Sequence, residues 1–92
     1  MTKTKNKYYV YILECSDKTL YTGYTNNLDK RIQTHNEGKG AKYTRGRCPV
    51  KLKWSKKFNS LGKALKEECR IKKLERKEKK ELIRMLGQTV HE

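Results

Sequence analysis

Residues 8–38 read YYVYILECSDKTLYTGYTNNLDKRIQTHNEG, and they decide the fold because their periodicity changes within them. YYVYILE, 8 to 14, is aromatic and β-branched, with apolar residues on both alternating faces, which predicts a strand in the middle of a sheet. CSDKT is turn chemistry. LYTGY, 20 to 24, predicts a second strand, and the short connection makes the pair an antiparallel hairpin. Asn26 or Asn27 then offers a helix N-cap. Leu28 and Ile32 form a narrow apolar stripe four residues apart, and Gly38 suits the C′ position. A first helix is expected over about 27–37.

The rest of the chain extends this pattern. GKGAKYTRGRCP, 38 to 49, is a long basic loop with three glycines and a proline. VKLKWSKKF, 50 to 58, alternates. Val50, Leu52 and Trp54 fall on one face and lysines on the other, predicting a half-buried strand with a basic solvent side. Ser60 caps a second helix over about 61–74. A third, about 77–86, carries Leu82, Ile83 and Leu86 and is stopped by Gly87. The tail QTVHE is expected to fray. No repeat or linker interrupts the pattern. The fold class is therefore α+β: a three-stranded antiparallel sheet with helices packed on it, in the order β-β-α-β-α-α. One domain is expected over 1–92, with a core at about 8–86 and flexible ends.

Composition narrows the function. The chain has 92 residues, 34% hydrophobic and 37% charged, enough for a lean core of modest stability. No apolar run reaches membrane-spanning length. MTKTKNK has no apolar stretch behind its lysines, so no signal peptide is expected. Cys15, Cys48 and Cys69 are odd in number and widely spaced. They suit neither a disulfide framework nor a zinc ribbon, and three reduced thiols in a cytoplasmic protein are expected. The net charge is +14, from 24 Lys+Arg against 10 Asp+Glu, and no acidic residue lies between Gly38 and Lys66. Such a field concentrates polyanions, and cations on phosphates gain from counterion release. Nucleic acid is the expected partner. No basic amphipathic helix with Trp or Phe on its apolar face points to a membrane.

Three groups of residues could carry chemistry. Arg31 and His35 share a face of the first helix beside the Leu28–Ile32 stripe. The arginine stem could be held there while its guanidinium meets a ligand, although the same spacing also describes an exposed charge pair. On the second helix, Leu61, Ala64, Leu65 and Ile71 define an apolar arc, with Glu68 inside it and Glu67 well off it. A carboxylate on a packing face needs a partner. A lysine or arginine across the sheet, tyrosine hydroxyls or a metal ion would each serve, and one carboxylate with water and substrate phosphate is a usual Mg²⁺ site. The chain also has six Tyr against one Phe. Tyr9 and Tyr11 share a strand face that Tyr21 can reach. Tyrosine rings fill cores, but the repeated preference over Phe suggests that the hydroxyls are used, for example in proton transfer.

YVY at 9–11, YTG at 21–23, Arg31 four before His35, and Glu68 in ALKEECRIKKL together resemble a GIY-YIG nuclease domain. GKGAKYTRGRCPVKL further resembles the short stand-alone bacterial members of that superfamily, the UPF0213-like group. The likeness covers about residues 8–86. It implies that Tyr11 and Tyr21 position or activate the attacking water, that Gly23 marks a bend or close approach, and that Arg31 stabilises charge on the scissile phosphate. It places His35 near the nucleophile and makes Glu68 the ligand of a divalent metal, Mg²⁺ or Mn²⁺. Lys39, Lys42, Tyr43, Thr44, Arg45 and Arg47, in the basic loop, become candidate nucleic-acid contacts. Two features depart from the pattern. Tyr9 stands where the first motif has Gly, and no Asn follows Asn59, Gln88 being a loose substitute.

The resemblance implies a metal-dependent endonuclease-like enzyme acting on DNA, in repair or in processing branched or single-stranded DNA. The alternatives are a non-catalytic nucleic-acid-binding module on the same fold and a protein-interaction adaptor. A protein partner is compatible with the sequence but not implied by it.

Overall fold

The computed structural model describes residues 7–86. Strands β1 (Tyr8–Glu14) and β2 (Leu20–Thr25) form the expected hairpin and are followed by helix α1 (Leu28–Asn36). A single 3₁₀ turn, Lys42–Thr44, interrupts the basic loop before β3 (Lys51–Phe58). Helices α2 (Leu61–Lys72) and α3 (Arg76–Leu86) complete the chain. The element order is the expected one, and the boundaries move by one or two residues. The predicted Gly87 stop and the terminal tail lie outside the described residues.

Local chemistry accounts for the helix ends. Asn27 is the N-cap of α1, its side chain accepting from the Lys30 backbone N–H, which satisfies one of the donors a helix start leaves open. Gly38 follows that helix at φ 78°, a left-handed conformation in which a side chain is strained. Ser60 caps α2 by accepting from the Lys63 N–H.

The sheet order is β2-β1-β3, with both pairings antiparallel. β1 is therefore central, and both of its faces are covered. One face carries Val10 and Ile12, which pack with Trp54, Ala64 and Ile71, and with Leu82 and Ile83 of α3. The other carries Tyr11 and Leu13, which pack with Cys15, Val50 and the Leu28–Ile32 stripe of α1. Each large apolar side chain fully buried in these layers contributes roughly 1.5–3 kcal/mol.

β3 departs from the alternating reading. Ile12 pairs with Trp54, but Leu13 pairs with Leu52, so the register slips between them and Lys53 is the extra residue. A bulge of this kind turns the following side chains over. Val50 and Leu52 consequently join the α1 layer, whereas Trp54 joins the α2–α3 layer. The strand serves both faces and has no single basic solvent side.

Candidate active site

The site is built around Tyr11. It stands opposite Gly23 in the β1–β2 ladder and is fully buried. A Cβ added at Gly23 would lie 2.6 Å from the Tyr11 hydroxyl oxygen and 3.1 Å from a Tyr21 ring carbon. Gly23 is thus the gap in β2 through which the Tyr11 hydroxyl projects. Two helical side chains meet that hydroxyl. Arg31 Nε donates to it at a long 3.4 Å, and His35 Nε2 lies 3.1 Å away. The four-residue spacing on α1 therefore brings Arg31 and His35 to one oxygen atom, as their shared face predicts.

His35 is the most enclosed of these groups. It is fully buried, and its Nδ1 lies 2.8 Å from the Thr44 hydroxyl oxygen. Its ring packs edge-on to Tyr21 at 5.4 Å between centroids. A Cβ at Gly40 would fall 2.3 Å from Nδ1, so the chain passes directly against the imidazole there. Burial, reinforced by the Arg31 charge, pushes the His35 pKa below its ordinary value and keeps the ring neutral at pH 7. Burial also raises the Tyr11 pKa, against the lowering effect of the Arg31 hydrogen bond, with the Glu68 charge adding to the rise. Tyr11 is a neutral phenol in the folded protein. The hydrogen bond to Tyr11 helps hold Arg31 firmly protonated.

The basic-loop candidates divide. Lys39, Lys42 and Arg45 are exposed and available to a polyanion. Tyr43 is 41% exposed, but it stacks on Tyr21 at 5.8 Å, with the Arg47 guanidinium 4.4 Å from its ring centroid. Arg47 also pairs with Asp17 at 2.5 Å, tying the loop to the β1–β2 turn. Its charge is already partnered. Thr44 is fully buried, and its hydroxyl binds His35 Nδ1 and the Ala41 carbonyl. That burial removes Thr44 as a phosphate contact.

Glu68 lies on the packing side of α2, between the buried Ala64 and Ile71, with its side chain 14% exposed. Leu61 and Leu65, placed on the same arc from the sequence, are exposed at 41% and 39%. Glu67 is nearly as sheltered as Glu68 and pairs with Arg70. The carboxylate partner of Glu68 is Lys72, 3.1 Å away on the same helix, rather than a residue across the sheet. Among the described residues no ion pair joins Glu68 to Arg31. Its charge nonetheless acts on Tyr11.

An open cleft of about 450 Å³ borders the cluster, lined by Tyr8, Tyr24, Thr25, Asn26, Arg31 and Leu61. Among the described residues Arg31 is the one charged residue in that lining. It also lines a second opening of about 290 Å³, with Asn26, Asn27, Lys30 and Thr34 among its neighbours.

The GIY-YIG catalytic domain model matches residues 7–81, nearly the whole described chain. The chain belongs to the GIY-YIG family. A UPF0213 protein from Syntrophus aciditrophicus is 60% identical over 80 residues, which cover 86% of this chain and 92% of the relative. Another, from Oceanobacillus iheyensis, is 58% identical over 77 residues, 84% of this chain and 90% of that one. The solution structure of a UPF0213 protein from Bacillus halodurans, 48% identical, superposes with a TM-score of 0.60 over 88% of this chain and 86% of its own. A protein from E. faecalis, 40% identical, gives 0.62 over 90% and 88%. The domain is of nuclease type, a class that acts on nucleic acid. Within this GIY-YIG domain, Tyr11, Tyr21, Arg31 and His35 converge on one cluster, and Glu68 stands apart on α2. The sequence reading missed Gly40. The only signal for it was the density of glycines just after α1.

Proposed function

We propose that this GIY-YIG domain is a divalent-metal-dependent nuclease that hydrolyses phosphodiester bonds in DNA, with Tyr11, Tyr21, Arg31, His35 and Glu68 as its working residues. The observation that carries the proposal is the Tyr11 hydroxyl, placed between Arg31 and a neutral His35 beside an open, arginine-lined cleft.

Phosphodiester hydrolysis builds negative charge on the non-bridging oxygens and on the leaving oxygen. Arg31 bonds Tyr11 through Nε and also meets Tyr21, and giving up these contacts would free its guanidinium for a bidentate grip on a phosphate. Of the two partners of the Tyr11 hydroxyl, only Arg31 is not fully buried. Access to Tyr11 therefore comes through Arg31, whose 3.4 Å bond is weak enough to give up. As Arg31 swings onto a phosphate, the Tyr11 oxygen is uncovered for the attacking water. Tyr11 takes the water's proton while its own proton passes to His35 Nε2. Tyr21, half-buried against both rings, orders the water.

α2 carries two sheltered carboxylates, Glu67 held by Arg70 and Glu68 by Lys72. Among the described residues there is no group of three or more His, Cys, Asp or Glu placed to hold a metal ion, so a metal at Glu68 would have that one carboxylate as its hard-oxygen donor. On β2, the Thr22 Oγ1 is buried without a partner. One carboxylate with free positions for water and phosphate suits Mg²⁺ or Mn²⁺, and Glu68 would hold it after release from Lys72. Such an ion would supply charge neutralisation at the phosphate and the leaving oxygen.

The Glu68–Lys72 pair also favours a second reading, a nucleic-acid-binding module whose carboxylate never takes a metal. A cleavage panel on linear, branched and single-stranded DNA and on RNA, with Mg²⁺, Mn²⁺ or EDTA, separates the two. Metal-dependent cleavage lost in Glu68→Gln and Arg31→Ala, with the fold intact, is the expected result. Salt-sensitive binding without cleavage of any substrate would select the binding module. Roles in repair or in processing branched or single-stranded DNA belong to the same proposal, and the substrate arms test them.

A further inference from the structure

The hydrogen bonds around His35 form one continuous chain: Arg31 Nε, Tyr11 hydroxyl, His35 Nε2 and Nδ1, Thr44 hydroxyl, Ala41 carbonyl, at 3.4, 3.1, 2.8 and 2.9 Å. Its two ends have fixed polarity. A guanidinium can only donate, and a carbonyl can only accept. Between them lie three groups that can do either. Arg31 occupies the Tyr11 oxygen as a donor, so among the described residues the only acceptor for the Tyr11 proton is His35 Nε2. At the other end, Thr44 gives its proton to the Ala41 carbonyl. Its oxygen must then accept from Nδ1. Both ends require the same direction, and only that direction gives every buried proton in the chain an acceptor.

We propose that Thr44 is a positioning residue of this site, holding His35 as its Nδ1–H tautomer so that Nε2 accepts the Tyr11 hydroxyl proton. The catalytic part of this inference rests on the nuclease reading above; the tautomer does not. Two further observations support the arrangement. The 3₁₀ turn aims the Thr44 backbone N–H and its hydroxyl at the same Ala41 carbonyl, at 3.0 and 2.9 Å, so the hydroxyl is held in one orientation. Gly40 packs against the imidazole with no room for a methyl group, so the ring cannot tip away from Thr44 towards that side. The other nitrogen of a working histidine commonly sets the tautomer in this way. Without Thr44, a neutral His35 could carry its proton on Nε2. The Tyr11 hydroxyl would then face a second donor and have nowhere to send its proton.

The test uses the full chain labelled with ¹⁵N-histidine. The chain has two histidines, and His91→Gln assigns the signals. Long-range ¹H–¹⁵N spectra at pH 7.5 report directly which ring nitrogen carries the proton. Wild type is expected to show protonated Nδ1 and bare Nε2. Thr44→Val, close in shape but without the hydroxyl, is expected to shift His35 towards the Nε2–H form, and Thr44→Ser to keep the wild-type pattern. In the cleavage assay Thr44→Val should lose roughly 10- to 100-fold, by analogy with partners that orient metal-bound histidines, while Thr44→Ser stays within a few-fold of wild type. Backbone spectra establish that each variant folds. An Nε2–H signal in wild type, or a tautomer unchanged in folded Thr44→Val, would overturn the tautomer assignment. Full cleavage by Thr44→Val with the tautomer flipped would overturn the positioning role. Absence of cleavage by wild type would instead remove the nuclease reading, and the spectra would still decide the tautomer.

Discussion

Gly40→Ala is a one-methyl perturbation with a calculable consequence. The added Cβ would sit 2.3 Å from His35 Nδ1, about 1 Å short of ordinary van der Waals contact. His35 cannot move away freely, because it is fully buried and bonded at both nitrogens. A shift of that size would break one of these bonds or bend both out of line. Losing buried hydrogen bonds costs about 1 kcal/mol each, and forcing an extra carbon into a packed site adds roughly 1–3 kcal/mol. Partial relaxation of the loop reduces the total, giving an expected loss of about 2–4 kcal/mol. For a domain of this size that lowers Tm by on the order of 10–20 °C. Urea and thermal melts followed by circular dichroism measure it. The same substitution in a His35→Ala background should cost much less, because the truncated side chain leaves room for the methyl. A double-mutant cycle then yields a coupling of about 1–3 kcal/mol. A loss below about 0.5 kcal/mol, the ordinary scatter of a neutral substitution, or a loss unchanged by removing His35, would refute the packing argument.

Two further outcomes are expected. His35 is pushed below its ordinary pKa by burial and then by Arg31, so the unfolded chain binds this proton more tightly than the folded one. Its contribution to stability is therefore whole above the unfolded value of about 6.5 and is lost as pH falls through it towards the depressed folded value. Denaturant midpoints at pH 7.5 and 5.0 should differ more for wild type than for His35→Asn, and equal differences would contradict the assignment. Replacing the exposed Lys39, Lys42 and Arg45 with Ala should flatten the dependence of log binding constant on log salt by up to roughly 2–3, at about 0.7–0.9 for each phosphate no longer neutralised. An unchanged slope in fluorescence-anisotropy titrations would place the nucleic acid elsewhere.

The architecture and the shared face of Arg31 and His35 were legible because each depends on local periodicity, and their convergence with Tyr11 was implied by the GIY-YIG resemblance. Apolar residues on both faces made β1 central, and four-residue spacing put Arg31 and His35 on one face. Glu68 was legible for the same reason, although Leu61 and Leu65, at the same helical phase, lie exposed at the edge of the layer. Periodicity is also what misled at β3. Val50, Leu52 and Trp54 alternate faultlessly in sequence, and the bulge at Lys53 leaves no trace there, because it is imposed by pairing with β1. Thr44 and Gly40 lay in a loop with no period to read. Their roles come from a fold that brings residues 40–44 back onto α1, so a hydroxyl that looked free for a phosphate is enclosed against an imidazole.

The span of these contacts governs how the candidate site is assembled. Tyr11 and His35 are 24 residues apart, and Arg47 reaches Asp17 across 30. The β1–β2 hairpin can form from its own neighbourhood, but these closures come at the entropic cost of long loops and follow it. Tyr11, Tyr21, Arg31 and His35 all lie in the hairpin and first helix, but Thr44, which meets the imidazole, and Glu68 come later in the chain. A chain with only its hairpin and first helix in place lacks those two groups, so on the nuclease reading the onset of catalysis during refolding would time the closures that bring them in.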